Sequence, residues 1–147
     1  MDGIQAAALR IKLKNLARGN AARRANAARY DRLLANVEGV VTPFAAPHSS
    51  PVYHLYVIRV AERDRLLSEL GQRGIACGIH YPKPIHLQEA YGALGLGPGS
   101  FPVAESQAEE LLSLPMFPEL TGAQIETVVR ELKSLLPQFR GVEAISA

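Results

Sequence analysis

Apolar residues recur every three or four positions along much of this chain, the spacing of helices that bury one face. The stretches that show it are residues 4–16, 21–36, 62–70, 87–94, 102–112 and 121–135. Gly19 and Asn20 form a candidate break or kink between the first two, although alanine and arginine in the second are strong helix formers. The sequence therefore predicts a largely helical chain that opens with a long helical lead-in.

The last two helices carry boundary signals. Pro102 suits the first turn of its helix, and Thr121 and Gln124 have the spacing of a capping box. The acidic side chains predicted to point outward from the first of these helices are Glu105, Glu109 and Glu110. The predicted buried stripe of the second is Ile125, Val128, Val129, Leu132 and Leu135, and Pro137 is expected to stop it.

Three stretches favour strands. Residues 52–60 are β-branched or aromatic almost throughout. Residues 75–81 alternate between a bulky face and a face of small residues that ends at His80. The bulky face, predicted to lie in the core, is Ile75, Cys77, Ile79 and Tyr81. Residues 113–117 form the third, and Pro115 marks it as an edge strand or a strand end.

The helix at 62–70 separates the first two strands, which predicts a βαβ unit with a right-handed crossover if those strands are parallel. The order of elements predicts an α+β fold, a small sheet covered on one side by helices. The expected organisation is a helical lead-in over residues 1–38, a compact domain over 39–140 and a loose tail over 141–147.

Composition excludes several classes. The 48% hydrophobic and 20% charged residues are typical of a soluble globular domain, and no apolar run approaches the roughly 20 residues that span a membrane. Cys77 is the single cysteine, so there is no disulfide framework and no Cys-x-x-Cys metal spacing. A reducing, cytoplasmic location is therefore expected.

The charge is uneven. Residues 1–36 carry eight Lys or Arg and two Asp, a net charge of +6, while residues 37–147 carry eight basic and twelve acidic residues, a net charge of −4. The basic segment contains no serine, unlike a transit peptide, and only Tyr30 among aromatics, unlike a nucleic-acid arm. A solvated helix face is the favoured interpretation, and no nucleic-acid partner is predicted.

Candidate chemistry concentrates at a rigid corner after residue 78. Pro82 and Pro84 restrict the chain as it leaves the predicted strand, between His80 and His86. Each of these two histidines is a candidate for contact with a ligand. His48 is expected to face solvent and His54 to pack on the sheet. No serine, cysteine or threonine nucleophile, carboxylate pair or metal-ligand set is recognisable, so no catalytic residue is assigned.

Several motifs occur in the order found in a known family. They are Met1–Ala7 with Leu9, Lys12 and Leu13; Arg24, Ala28 and Tyr30; His54–Arg59; Gly74–Ile75; His80–Pro82 with Pro84–His86; Phe101–Pro102 with Ala104–Glu105; and Leu112–Pro115 with Pro118. From residue 1 to about 136 the chain resembles the C-terminal part of the DegT/DnrJ/StrS family of PLP-dependent nucleotide-sugar aminotransferases.

The resemblance implies the small C-terminal domain of a fold-type I aminotransferase, with a mostly antiparallel sheet. In that family the N-terminal domain carries the lysine that binds pyridoxal phosphate and most phosphate contacts, and an asparagine that reaches the neighbouring subunit's cofactor lies a few residues before the position of Met1. None of Lys12, Lys14, Lys83 or Lys133 matches that lysine. The chain alone is therefore expected to bind no cofactor and to be inactive.

By the same resemblance, His80 and Tyr81 contact the nucleotide-sugar substrate or shape its pocket, and His86 supports the corner. An amino-acid amino donor and a homodimer are implied for the intact enzyme. If the lead-in helix normally packs on the other domain, its apolar stripe predicts self-association or poor solubility for the isolated chain.

Two alternatives remain open. One is a stand-alone α+β module that binds a small molecule or forms dimers through edge strands. The other is a nucleic-acid-associated protein that uses the basic helices, which a steep salt dependence of binding would reveal.

Overall fold

A computed structural model describes residues 2–136. The predicted loose tail and the predicted stop at Pro137 lie outside this range. The helices are α1 (Gly3–Leu34), α2 (Arg63–Gln72), α3 (Pro102–Glu110) and α4 (Gly122–Leu135). The strands are β1 (Val40–Val41), β2 (Tyr56–Val60) and β3 (Leu111–Leu114), and 3-10 helical turns cover Ile85–Leu87 and Glu89–Leu94.

The sheet has the order β1-β2-β3 with both pairs antiparallel. Val40 pairs with Val60, and Tyr56 pairs with Leu114. On β2 the alternation of the sequence buries Tyr56, Ile58 and Val60 on one face. The expected α+β class, with a long N-terminal helix and a small antiparallel sheet, is confirmed.

The lead-in is one continuous helix, so it has no break at Gly19 and Asn20, where the sequence offered a possible break or kink. Asp2 caps its start, with a carboxylate oxygen that accepts from the amide of Gln5 at 2.9 Å. Gly19 faces Pro118, which a Cβ there would approach to 3.5 Å. The alanine and arginine residues on either side outweigh the cost of about 1 kcal/mol for an interior glycine.

The first predicted strand is shorter than expected because residues 52–55 are not extended. Tyr53 has a φ of 50° in the left-handed region, which a strand does not admit. The Arg23 guanidinium of α1 holds this segment by donating to the carbonyls of Tyr53 and His54 at 3.3 and 3.2 Å. The same nitrogen donates to the carbonyl of Met116 at 3.0 Å. This arginine therefore joins α1 to the entry of β2 and to the chain beyond β3.

The predicted strand 75–81 is reduced to one antiparallel bridge between Gly78 and Ser113, with N–O distances of 3.0 and 2.8 Å. Strand β3 lies between this segment and β2 and is antiparallel to both. The segment around Gly78 therefore runs in the same direction as β2. Ile75 is buried and Cys77 partly buried, but Tyr81 is 73% exposed because the chain has left the sheet. The second strand of the predicted βαβ unit is therefore wrong, since only one bridge forms at Gly78.

The third predicted strand, expected over residues 113–117, is found at Leu111–Leu114. It ends before Pro115, which confirms the strand-end interpretation. Helix α3 stops at Glu110 instead of residue 112. Buried Arg63 accounts for this, because its guanidinium donates to the carbonyls of Ala108 and Leu111, both at 3.1 Å. A charged donor at a helix end satisfies carbonyls that have no partner within the helix.

The core forms where the C-terminal half of α1, the sheet, α2 and α4 meet. All five residues of the predicted α4 stripe are buried, and the capping box of Thr121 and Gln124 is present. From α1, the buried residues are Ala27, Tyr30 and Leu34. Two of the three acidic residues expected to point outward from α3 do not, because Glu105 bonds to His86 and Glu110 to Arg59 at 2.8 Å.

Candidate functional site

His80 stands against the sheet directly after the bridge at Gly78. Its Nδ1 lies 2.9 Å from the hydroxyl oxygen of Ser113, which is 4% exposed on β3. A Cβ at residue 78 would lie 2.8 Å from Cε1 of His80, closer than real contacts allow. The small face predicted at 76–80 therefore accommodates the imidazole of His80 itself. The ring is exposed, and Tyr81 follows through a cis peptide bond.

Replacing Gly78 with alanine is expected to displace His80 from Ser113 while the fold remains intact. The backbone of Gly78 is outside the left-handed region, so alanine is compatible with it, and the exposed imidazole is the group that must move. The expected cost is about 1 kcal/mol, one lost hydrogen bond. The ring chemical shifts of His80 and a urea unfolding curve measure the two effects. Gly92→Ala is the control because nothing lies within 4 Å of a Cβ there; unmoved His80 shifts would contradict the prediction.

His86 is buried at 8% exposure and is held by α3. Its Nε2 lies 2.9 Å from Oε1 of Glu105, and its ring packs edge-on against Phe101 with centroids 4.8 Å apart. Glu105 also accepts from the amides of Gly99 at 2.7 Å and Phe101 at 3.0 Å. These amides, first that of Gly99, and then the His86 ring lower the pKa of the Glu105 carboxyl. The carboxylate is thus ionised at neutral pH.

A cleft of about 560 Å³ opens beside the proline corner. The lining residues that have a polar side chain are Tyr81, Lys83, His86, Tyr91 and Gln107. Apolar side chains complete it, namely Pro84, Ile85, Leu94, Leu96, Phe101, Ala104, Ala108 and Leu111. A mainly apolar cleft of this size that is lined by a few polar residues is typical of a small-molecule site.

Two of the three predicted site residues, Tyr81 and His86, therefore meet at the cleft. His80 lies on the sheet side of the corner, with its ring 5.7 Å from that of Tyr81. The sequence did not predict Ser113 and Glu105 as site residues, although they hold the two imidazoles. Glu105 had a usable signal, since a carboxylate in the first turn of a helix that starts at Pro102 can bind the amides just before it.

The other histidines, His48 and His54, are exposed. His48 therefore lies in solvent as expected, whereas His54 precedes β2 instead of packing on it. Within residues 2–136, no group of three or more histidine, cysteine, aspartate or glutamate side chains could hold a metal ion. Burial raises the pKa of the Cys77 thiol to about 11, which makes it a poor nucleophile.

The described residues do not fit the pyridoxal phosphate that the motifs imply. Such a site requires a lysine for the imine and a partner for the pyridine nitrogen. Lys12, Lys14 and Lys133 are exposed on α1 and α4. Lys83 lies on the cleft, but no aspartate or glutamate lines the cleft with it among the residues described.

The N-terminal half of α1 exposes basic and apolar side chains around the whole helix, so the single apolar stripe expected from the sequence is not found there. Between residues 2 and 18 every side chain except Ala6 is exposed. The large apolar residues there are Ile4, Leu9, Ile11, Leu13 and Leu16, each more than half exposed. In the described part of the chain, no helix is long and apolar enough to cross a membrane.

Comparison with known proteins gives a consistent result. The model of the DegT/DnrJ/EryC1/StrS aminotransferase family matches residues 1–133. The erythromycin biosynthesis sensory transduction protein EryC1 of Saccharopolyspora erythraea is 45% identical over 134 residues, 91% of this chain and 37% of that protein. A dTDP-3-amino-3,4,6-trideoxy-alpha-D-glucose transaminase of Streptomyces venezuelae is 44% identical over 88% of this chain and 34% of its own length.

Solved structures agree. The crystal structure of S. venezuelae DesV in complex with a ketimine intermediate superposes with a TM-score of 0.88 at 42% identity, covering 92% of this chain and 37% of that one. A DegT/DnrJ/EryC1/StrS aminotransferase from Brucella abortus gives 0.84 at 36% identity, covering 92% and 36%. The chain thus spans little more than a third of the length of the relatives that it matches.

Proposed function

The chain belongs to the DegT/DnrJ/EryC1/StrS aminotransferase family, and we propose that it is the C-terminal part of a pyridoxal-phosphate-dependent aminotransferase acting on a nucleotide-linked keto-sugar. The observation that carries the proposal is the cleft beside residues 80–86, which joins Tyr81 and His86 to a mainly apolar wall. Similar proteins named as transaminases of dTDP-linked and UDP-linked sugars support this substrate class.

In this proposal Tyr81 and His80 contact the sugar nucleotide, and His86 supports the corner. Tyr81 is 73% exposed and lines the cleft, so it can bind a polar ligand without first breaking a buried contact. His80 is exposed beside it, with one ring nitrogen engaged by Ser113. The second nitrogen is thus the group that meets a ligand.

Residues 1–147 are proposed to be inactive alone, since their lysines do not build a cofactor site. The cofactor and its lysine belong, on this proposal, to the portion of the enzyme that these residues do not span. An amino-acid amino donor completes the reaction. A homodimer is supported by the exposed apolar side chains of α1, and a cytoplasmic location by the single free cysteine.

The test compares the chain with a chimaera in which it replaces the matching C-terminal third of the S. venezuelae transaminase. The chain with added pyridoxal phosphate should show no imine absorbance and no transamination, whereas the chimaera should show both. In the chimaera, His80→Ala should lower kcat/KM about tenfold, the effect of one hydrogen bond of about 1.4 kcal/mol.

His54→Ala is the matched control, because His54 is exposed and distant in sequence from the corner. Unchanged kinetics for His80→Ala would remove His80 from the site. An isolated chain that transaminates by itself would refute the proposed division of the enzyme. An isolated chain that binds a small molecule in the cleft, with an inactive chimaera, would favour a stand-alone binding module.

A further inference from the structure

Glu105 connects α3, the 3-10 turn that holds His86, and the loop that leads into α3. It lies on α3, its Oε1 faces Nε2 of His86 in the 3-10 turn, and both of its oxygens accept amides from the loop that leads into α3. We propose that Glu105 is the positioning residue of the cleft: it fixes the tautomer of His86 and holds the Gly95–Phe101 loop as the cleft wall. The link to substrate rests on the function proposed above.

The tautomer follows from hydrogen-bond chemistry. An ionised carboxylate only accepts hydrogen bonds, so the proton of the contact at 2.9 Å must sit on Nε2 of His86. In the neutral ring this leaves Nδ1 as the acceptor. Within the described residues Nδ1 has no hydrogen-bond partner, while the ring lines the cleft. Glu105 therefore presents the imidazole to a ligand as an acceptor of hydrogen bonds.

The loop is held by the same carboxylate. Gly95 and Gly99 have φ values of 65° and 87°, so the backbone between α3 and the preceding turn passes twice through the left-handed region. The amides of Gly99 and Phe101 both donate to Glu105. Phe101 in turn packs on His86. Loss of the carboxylate would release the aromatic wall and the imidazole together.

The charged and titratable groups around His86 come from three directions. Glu105 is on α3, Lys83 and Tyr81 precede the 3-10 turn, and Tyr91 follows it, the last three on the cleft wall. Of these, only Glu105 contacts a ring nitrogen of His86 in the part of the chain that the structure describes. The tautomer should therefore respond to Glu105 alone.

The experiment uses the ¹⁵N-labelled chain without substrate. Two-bond proton–nitrogen spectra report the His86 tautomer at a pH well above the ordinary histidine pKa of about 6.5. Amide hydrogen exchange near neutral pH reports the loop at Gly99 and Phe101. The variants are Glu105→Ala, Glu105→Gln and, as control, Glu109→Ala, whose side chain is exposed on the same helix.

In the unmodified chain and in Glu109→Ala, His86 should be present only as the Nε2–H tautomer. In Glu105→Ala both tautomers should be populated, and the Gly99 and Phe101 amides should exchange at least about tenfold faster, the loss of one hydrogen bond each. A single Nε2–H tautomer or unchanged exchange in Glu105→Ala would overturn the proposal. So would the same changes in Glu109→Ala.

Glu105→Gln keeps the test decisive if the alanine variant fails to fold. Its amide oxygen can still accept from His86, but its NH₂ replaces the oxygen that accepts from Gly99, and two donors then face each other. The Gly99 amide should exchange about tenfold faster in a folded chain, and unchanged exchange would overturn the proposal. Because these signals need no substrate, they can succeed when the chimaera is inactive, and they can fail when it is active.

Discussion

Replacing Tyr30 with alanine is expected to destabilise the chain by about 3–5 kcal/mol, the cost of removing a fully buried aromatic ring. Tyr30 has no exposed surface and stacks on Tyr56 with ring centroids 4.8 Å apart. Its hydroxyl donates to the carbonyl of Pro115 at 3.0 Å. Burial raises the pKa of the phenol, so it remains a donor across the physiological range. A urea titration followed by circular dichroism measures the loss.

Tyr30→Phe separates the ring from the hydroxyl. It keeps the stack on Tyr56 and removes one hydrogen bond, so its expected cost is about 1–2 kcal/mol. If Tyr30→Ala cost no more than Tyr30→Phe, the ring would not contribute to the core. Since stabilities of small domains are about 5–15 kcal/mol, the alanine variant should lose a large part of the total.

Replacing Arg23 with alanine should cost about 2–3 kcal/mol. One guanidinium nitrogen donates to the carbonyls of Tyr53, His54 and Met116, and hydrogen bonds to a charged group contribute about 1.5–3 kcal/mol. The variant leaves partly buried carbonyls without that donor and detaches α1 from the entry of β2. The same urea titration measures the effect.

The neighbouring Arg24 provides the control, since it is exposed on the same helix turn. Arg24→Ala should change the stability by no more than about 0.5 kcal/mol. Equal losses for the two variants would mean that the effect comes from helix charge and not from the carbonyl contacts of Arg23.

Sequence patterns predicted the elements whose signal is local and repeated. The stripe of α4 and its capping box are found as predicted because hydrophobic period and cap chemistry are both written in neighbouring residues. Misplaced boundaries came from contacts across the fold. Arg23 and the left-handed Tyr53 shorten β2, and Arg63 ends α3 early. Neighbouring residues contain no signal for a guanidinium contributed by another helix, because the contacting residues are 30 and 45 positions apart.

The sequence predicted where the candidate site lies along the chain, but not the hydrogen-bond partners of its histidines. The proline corner and the imidazoles on either side were readable, and Tyr81 and His86 do line the cleft. The partners of the histidines were not, because Ser113 is 33 residues from His80, and Glu105 is 19 from His86. Glu105 also looked like an ordinary solvated charge on a helix. Its hydrogen bonds to the amides of Gly99 and Phe101 suit its place in the first turn of α3, but its contact with His86 depends on how the loop folds back.

Because α1 is uninterrupted, a change of its angle at one end produces a large displacement at the other. At about 1.5 Å per residue, about 40 Å of helix separate Gly3 from Tyr30, and a rotation of about 5° about Tyr30 displaces Gly3 by about 3.5 Å. Because α1 is continuous through Gly19, a tilt of its exposed N-terminal end turns the Tyr30 end, which stacks on Tyr56, through the same angle. If a partner binds the exposed N-terminal half of α1, we expect the domain of residues 39–136, including the cleft, to rotate relative to that partner as a rigid unit together with α1.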